Sequence, residues 1–248
     1  MREARPEELI ELLKNNFDYV LELSILQEPQ LCRKPVYKFE RAFMCGGKFC
    51  LIYSEADDPE IIAASYNSRG FGRIIGKYNP CKIVFHGASC KNGEFYRSFY
   101  YNKREPEHAK HLKNSNCRLL TGGDKNLLQP QNGDDYLNIL FGDFIEKKIW
   151  SDCGIIGAFD GRGGSGNFAG YLAYCEIAEN IRDVSYIYVK DGFRRQGYAK
   201  KLLEYFKNKN IQENKMSYYS YAADEASANL AESCGFLPCA ERYEIIIC

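Results

Sequence analysis

The chain lacks net charge: 33 Lys and Arg balance 33 Asp and Glu across 248 residues. That balance gives no argument for a nucleic-acid or membrane partner, and neither is expected. Long apolar runs are missing too; none approaches the ~18 residues that suggest a membrane-spanning helix. The opening MREARPEELIELL is charged and has no apolar centre of the kind a signal peptide carries. A cytoplasmic location is therefore expected. Cysteine is plentiful at eleven, but no second Cys or His pair stands at zinc spacing. Cys45 and Cys50 lie in CGGKFC, and His108 and His111 in HAKH, whereas a structural zinc needs four ligands. No metal is expected, and the cysteines read as thiols in a reducing compartment.

What is present is the composition of a folded protein, 45% hydrophobic and 27% charged. The length suits one large domain or two ordinary ones. Residues 6–26 have apolar positions at helical spacing, with Pro6 near the start where proline is tolerated. Residues 49–53 and 82–86 read as strands, and IIAASYN before residue 68 as a poor one. Residues 102–116 are polar and without apolar period, a candidate boundary between domains at 1–112 and 113–248. Beyond it come a short strand at 117–120 and strands at 154–159, 169–177 and 184–189. A helix at 198–207, a strand at 216–221, a helix at 224–234 and a strand at 243–247 complete the series. That order describes an α/β domain (an α+β mixed sheet), preceded by a smaller α/β N-terminal domain.

The chemistry concentrates in residues 189–203 (VKDGFRRQGYAKKLL). VSYIYV before it has strand composition, and Ala199, Leu202, Leu203 and Phe206 form one face of a helix. Arg194, Arg195, Gln196, Gly197, Tyr198 and Ala199 thus sit between a strand end and a helix start. A first helical turn has N–H groups without intrahelical partners and a partly positive dipole end, which together make an anion site. Glycine at 197 lets a ligand approach the backbone, and the two arginines add charge. The bland alternative is a glycine turn with solvated arginines. The run Asp160 to Gly166 (DGRGGSG) imitates a phosphate loop, but no Gly-Lys-Ser/Thr follows, so it reads as a hairpin loop.

These residues resemble the GNAT superfamily of N-acetyltransferases, whose signature Gln/Arg-x-x-Gly-x-Gly/Ala stands here as Arg194, Gly197 and Ala199. The downstream ADEASANLAESCGF resembles the family's second helix, which ends in Gly-Phe, here Gly235 and Phe236. The resemblance spans roughly residues 117–248. It implies a mixed sheet that splays after the strand ending near Val189, with acetyl-CoA in the gap as acyl-donor substrate. The pyrophosphate would rest on the N–H groups of Arg195 to Ala199, and the pantetheine arm beside Tyr188 and Val189.

Such enzymes let a neutral amine attack the thioester directly, so an acidic base is expected. Asp183, fourteen positions before Gly197, resembles the place of that base in some members, and Glu176 is the second candidate. The thiolate's usual proton donor is a tyrosine four residues before the Gly-Phe glycine, where this chain has Ala231. Tyr219, Tyr221, Ser227, Cys234 or water stay open as replacements. The expected activity is acetyl transfer to an amine on a small-molecule or peptide acceptor. An acyl-CoA-binding or sensing module without catalysis is the alternative. Acyl length and acceptor are not encoded legibly, and a homodimer stays open. Ser68-Arg-Gly-Phe-Gly72 faintly echoes the same loop, which raises a degenerate second copy in the N-terminal half.

Overall fold

A computed structural model describes residues 2–33, 35–46, 48–55, 58–66, 71–86, 94–101, 115–128, 135–222 and 225–246. These gather into two compact units, one of residues 1–99, 220–228 and 238–248, the other of 100–219 and 229–237. The boundary expected near residue 112 lies outside the described residues. The units are also not two consecutive halves, because a late strand belongs with the first. Among the described residues, no helix is long and apolar enough to cross a membrane.

In the first unit, strands β1 (Arg2–Ala4), β2 (Tyr37–Cys45), β3 (Lys48–Glu55) and β4 (Asp58–Tyr66) pair antiparallel in sequence order. Strand β5 (Lys82–His86) then runs parallel to β4, reached through helix α3 (Gly72–Tyr78). Helices α1 (Pro6–Leu13) and α2 (Val20–Leu31) replace the single helix expected over 6–26. The break has a local cause: the Asn16 side chain accepts a hydrogen bond from the Asp18 N–H at 3.1 Å and caps a short turn instead of continuing the helix. Near the end of α2, buried Glu28 accepts from the N–H groups of Val36 and Tyr37 at 3.0 and 2.7 Å, anchoring the start of β2. Burial pushes its carboxyl above the ordinary range despite those two donors. CGGKFC spans the end of β2 and the start of β3, which pair antiparallel, with Gly46 at φ +57°, Cys45 exposed and Cys50 buried. Burial pushes the Cys50 thiol up to about 12. His108 and His111 lie outside the described residues.

The second unit repeats the pattern on a larger scale. Strands β7 (Cys117–Leu119), β8 (Cys153–Phe159), β9 (Phe168–Ala178) and β10 (Ile181–Val189) pair antiparallel, and β11 (Met216–Ala222) joins β10 in parallel. Strand β6 (Glu94–Tyr101) precedes them in the chain. One sheet face is covered by α4 (Asp135–Leu140) and the π-helical turn Phe141–Glu146, through Leu137, Phe141 and Phe144. The other face carries α5 (Tyr198–Gln212), whose Leu202, Leu203 and Phe206 are fully buried. Helix α6 (Glu225–Ser233) and strand β12 (Leu237–Ile246) follow, and β12 pairs antiparallel with β5 in the first unit. The late strand expected at 243–247 thus begins six residues earlier and belongs to the first unit's sheet.

Asp160 to Gly166 is the β8–β9 hairpin loop: the Asp160 carboxylate accepts from the Asn167 backbone N–H at 2.7 Å and side chain at 2.8 Å. At the opening of the unit, Arg118 makes a two-pronged contact with Asp124 at 2.6 and 2.9 Å, and the Thr121 N–H donates to the same carboxylate at 2.7 Å. Arg118 foremost holds the Asp124 carboxyl at about 2. A carboxyl depressed on folding stabilises the fold above its unfolded pKa and ceases to do so as pH falls through the folded value. Asp124→Asn is therefore expected to lower stability near pH 7 and to flatten its loss between about pH 4 and pH 2. Urea midpoints measured across that range check this.

Candidate coenzyme and catalytic site

Strands β10 and β11 stay together for three residues: Ile181 opposite Met216, Arg182 opposite Ser217, Asp183 opposite Tyr218. From Val184 to Val189, β10 keeps β9 on one side and, among the described residues, has no partner in β11 on the other. At ~3.3 Å per residue the opening runs about 20 Å along the strand. The splay therefore begins at Asp183 and ends at the glycine loop. Gly170 on β9 lets the two strands close up at that far end, since a Cβ there would lie 2.2 Å from the Tyr188 carbonyl oxygen.

The loop across the mouth is built for an anion. After the turn Asp191–Phe193, Arg195 and Gly197 both adopt left-handed backbone, at φ +60° and +80°, before α5 begins. Alternation of this kind turns successive N–H groups toward one point. The start of α5 has no side-chain cap, so its first N–H groups keep their donors available. A Cβ on Gly197 would meet nothing within 4 Å, so the space above it is open and the glycine is needed for its backbone angle. The Arg194 Nε donates to the Val189 carbonyl at 3.1 Å and its guanidinium pairs with Asp191 at 3.0 Å. The Gln196 amide donates to the Gly192 carbonyl at 2.9 Å. Those two side chains brace the loop, whereas exposed Arg195 has no hydrogen-bond or ion-pair partner among the described residues. Tyr198 is buried edge-on against Phe193, Ala199 is half-buried, and the Lys201 ammonium lies 4.6 Å from the Tyr198 ring centre. Lys201 is a further cation at this helix start that the motif does not single out.

At the vertex of the splay, Arg182 and Asp183 point to opposite faces of the sheet. Buried Arg182 donates to Asp152 at 2.9 Å and to Asn210 at 2.8 Å, and pairs with Glu213. Lys215 joins Asp152 to Glu176, the latter at 2.7 Å, and the other Glu176 oxygen accepts from the Asn180 N–H at 2.7 Å. Burial would raise the Asp152 carboxyl, but Lys215 and Arg182 outweigh it and hold it low. Glu176 stands opposite Arg182 on β9, so it shares the network's face and not that of Asp183. Cutting one partner out of such a buried network leaves uncompensated charge, at a cost of about 3 kcal/mol. Arg182→Leu should therefore lower the melting temperature by about 10 °C, readable by calorimetry.

Asp183 is buried, opposite Cys175 on β9 and Tyr218 on β11. A bulge at Ser185 shifts the β10 register, so that Tyr186 and Tyr188 follow on the same face as Asp183. Tyr186 is exposed, 4.6 Å from the ring of Tyr136 on α4 and 5.8 Å from that of Tyr171. Paired positions in a sheet share a face, which gives Asp183 a tyrosine neighbour, Tyr218, that spacing alone does not point to. Of the other candidate donors, Tyr219 is buried on β11, and the side chain of Tyr221 lies outside the described residues. Ser227 belongs to α6. The Cys234 Sγ lies 3.9 Å from the Lys200 carbonyl, and burial raises its thiol, the wrong direction for a nucleophile. Ala231 is fully buried, and its carbonyl accepts from the Phe236 N–H at 3.1 Å. With Gly235 at φ +80° donating to the Glu232 carbonyl at 2.9 Å, this is a left-handed helix stop of the Schellman type.

Comparison with known proteins agrees with this geometry. Solved structures that share the fold over nearly the whole chain include a Drosophila protein (TM-score 0.58, 12% identity, 99% of this chain and 98% of that one). Another is an acetyltransferase from the GNAT family from Colwellia psychrerythraea (0.54, 12% identity, 98% of each chain). A GCN5-related N-acetyltransferase from Sphaerobacter thermophilus matches at 0.53 with 11% identity, over 98% of this chain and 93% of that one. No curated protein is a sequence match. The family model described as the acetyltransferase (GNAT) family matches residues 125–236, the segment that holds the splayed strands, the glycine loop and the helix stop. Over residues 125–236 the chain is thus similar in sequence to the acetyltransferase (GNAT) family.

Proposed function

We propose that the second unit is an acetyl-CoA-dependent N-acetyltransferase acting in the cytoplasm on an amine of a small molecule or peptide. One observation carries the reading: β10 and β11 part at Asp183, and the open edge leads to an uncapped helix start with a left-handed glycine. An extended pantetheine arm fits such an edge by adding a strand's worth of backbone hydrogen bonds. Its pyrophosphate meets the N–H groups from Arg195 to Ala199, with Arg195 and Lys201 supplying charge. The thioester then lies toward the vertex, where Asp183 takes the proton from an ammonium so that the neutral amine can attack the carbonyl carbon. The C–N bond forms, the C–S bond breaks, and the second proton shed by the nitrogen as it becomes an amide passes to the departing thiolate, so the coenzyme leaves as free thiol. The exposed rings of Tyr136 and Tyr186 flank the same face and offer the acceptor a surface that attracts cations.

The test is release of free thiol when the protein meets acetyl-CoA and a panel of amines. Turnover with any acceptor supports the enzyme. Buried Ala231, where the family's usual acid stands, favours the second reading, a coenzyme-sensing module. Tight coenzyme binding with no thiol release across a broad panel would select that one.

A further inference from the structure

The N-terminal unit repeats the topology of the C-terminal one. In the first, β1, two helices, the β2–β3–β4 meander and α3 lead to the parallel strand β5. In the second, β7, the α4 segment, the β8–β9–β10 meander and α5 lead to the parallel strand β11. Strand order and direction correspond one to one. Ser68, Arg69 and Gly70, which echo the acetyltransferase loop in sequence, lie outside the described residues, so the repeat rests on topology and register.

We infer that this N-terminal copy is closed to the coenzyme and that each chain binds a single acetyl-CoA, in its C-terminal unit. The inference rests on the function proposed for that unit. The difference between the copies is one of register. Strand β10 pairs with β11 through its first three residues and then leaves it, whereas β4 pairs with β5 through its last five, from Ile62 opposite Lys82 to Tyr66 opposite His86. The backbone edge that a pantetheine arm would use is thus occupied by β5 to the final residue of β4. Three further features agree. Helix α3 has seven residues where α5 has fifteen. Ahead of α3 stands Phe71, fully buried with Cys50, Ile52 and Ile74, where α5 is preceded by exposed Gly197 with open space above it. Strand β5 is also held from its far side, since β12 pairs along all of it and Glu244 of β12 forms an ion pair with Lys82. Opening the edge of β4 would mean stripping a strand that is paired on both sides.

Calorimetric titration of the full chain with acetyl-CoA tests this. One equivalent is expected, and Gly197→Glu should abolish the heat of binding entirely. Two equivalents, or a residual equivalent in the folded Gly197→Glu variant, would overturn the inference and leave the proposed function standing. No uptake by the unmodified chain would overturn both. Hydrogen exchange supplies a readout that needs no variant: acetyl-CoA should slow exchange in residues 184–200 and leave residues 62–66 and 82–86 unchanged. Protection of the latter two segments comparable with that of 184–200 would overturn the inference.

Discussion

Asp183→Asn is expected to lower turnover at pH 7 by about 100-fold or more while leaving acetyl-CoA affinity unchanged, since a positioned general base contributes roughly 10²–10⁴. The side chain stands at the vertex of the splay, some 20 Å along β10 from the glycine loop, so it has no part in holding the pyrophosphate. Asparagine keeps the volume and most hydrogen-bonding capacity of the buried site, which makes unfolding a poor explanation for lost activity. The pH profile separates a base from a structural role. An alkyl amine with a pKa near ~10.4 is protonated at pH 7 and needs the base, but is already neutral near pH 11. The gap between variant and parent should accordingly narrow as pH rises through the pKa of the acceptor. Equal turnover at pH 7 would remove Asp183 from the reaction, and a gap constant with pH would make it a positioning residue.

Gly197→Glu should weaken acetyl-CoA by more than 100-fold, and Gly197→Ala by about tenfold. The two losses have different origins. Alanine at φ +80° carries a left-handed penalty of roughly 1–2 kcal/mol, which the loop relieves by moving its N–H groups off their common point. Glutamate adds a full negative charge where two phosphates are to be bound, beside the N–H groups and helix dipole that attract them. Raising the salt concentration should narrow the difference between the two variants, because screening weakens the repulsion but not the strain. Equal affinities for the two variants at low salt would mean that the anion does not lie over this glycine.

The loop and the helix stop were legible because their signals are local. Arg194, Gly197 and Ala199 follow a strand-like run and open an apolar-faced helix, and Gly235-Phe236 closes another; each motif specifies backbone angles within a few residues. What escaped depends on distant partners. Ile61 to Tyr66 has little strand character of its own, yet it is a strand because β3 and β5 flank it on both sides. The helix read across 6–26 followed apolar spacing and passed over Asn16, whose side chain caps the short turn Phe17–Tyr19 between α1 and α2. Tyr218 could not be matched to Asp183 without the register of a parallel pair. The bulge at Ser185 decides which tyrosines accompany Asp183, and an alternating pattern carries no sign of it. That Lys215 and the Asn180 N–H engage the oxygens of Glu176, the second base candidate, is likewise not visible along its strand.

The late strand β12 has a consequence for biogenesis. It completes a sheet whose neighbouring strand β5 leaves the ribosome about 150 residues earlier. During that interval the first unit has a raw sheet edge, the kind of surface that recruits other chains. Synthesis of the second unit must pass before that edge is covered, so the N-terminal unit finishes folding last although it is made first. Such long-range closure slows folding and extends the time in which nascent chains can mispair. Expression is therefore expected to depend on chaperones that hold the N-terminal unit through translation, and fragments cut before residue 237 should aggregate.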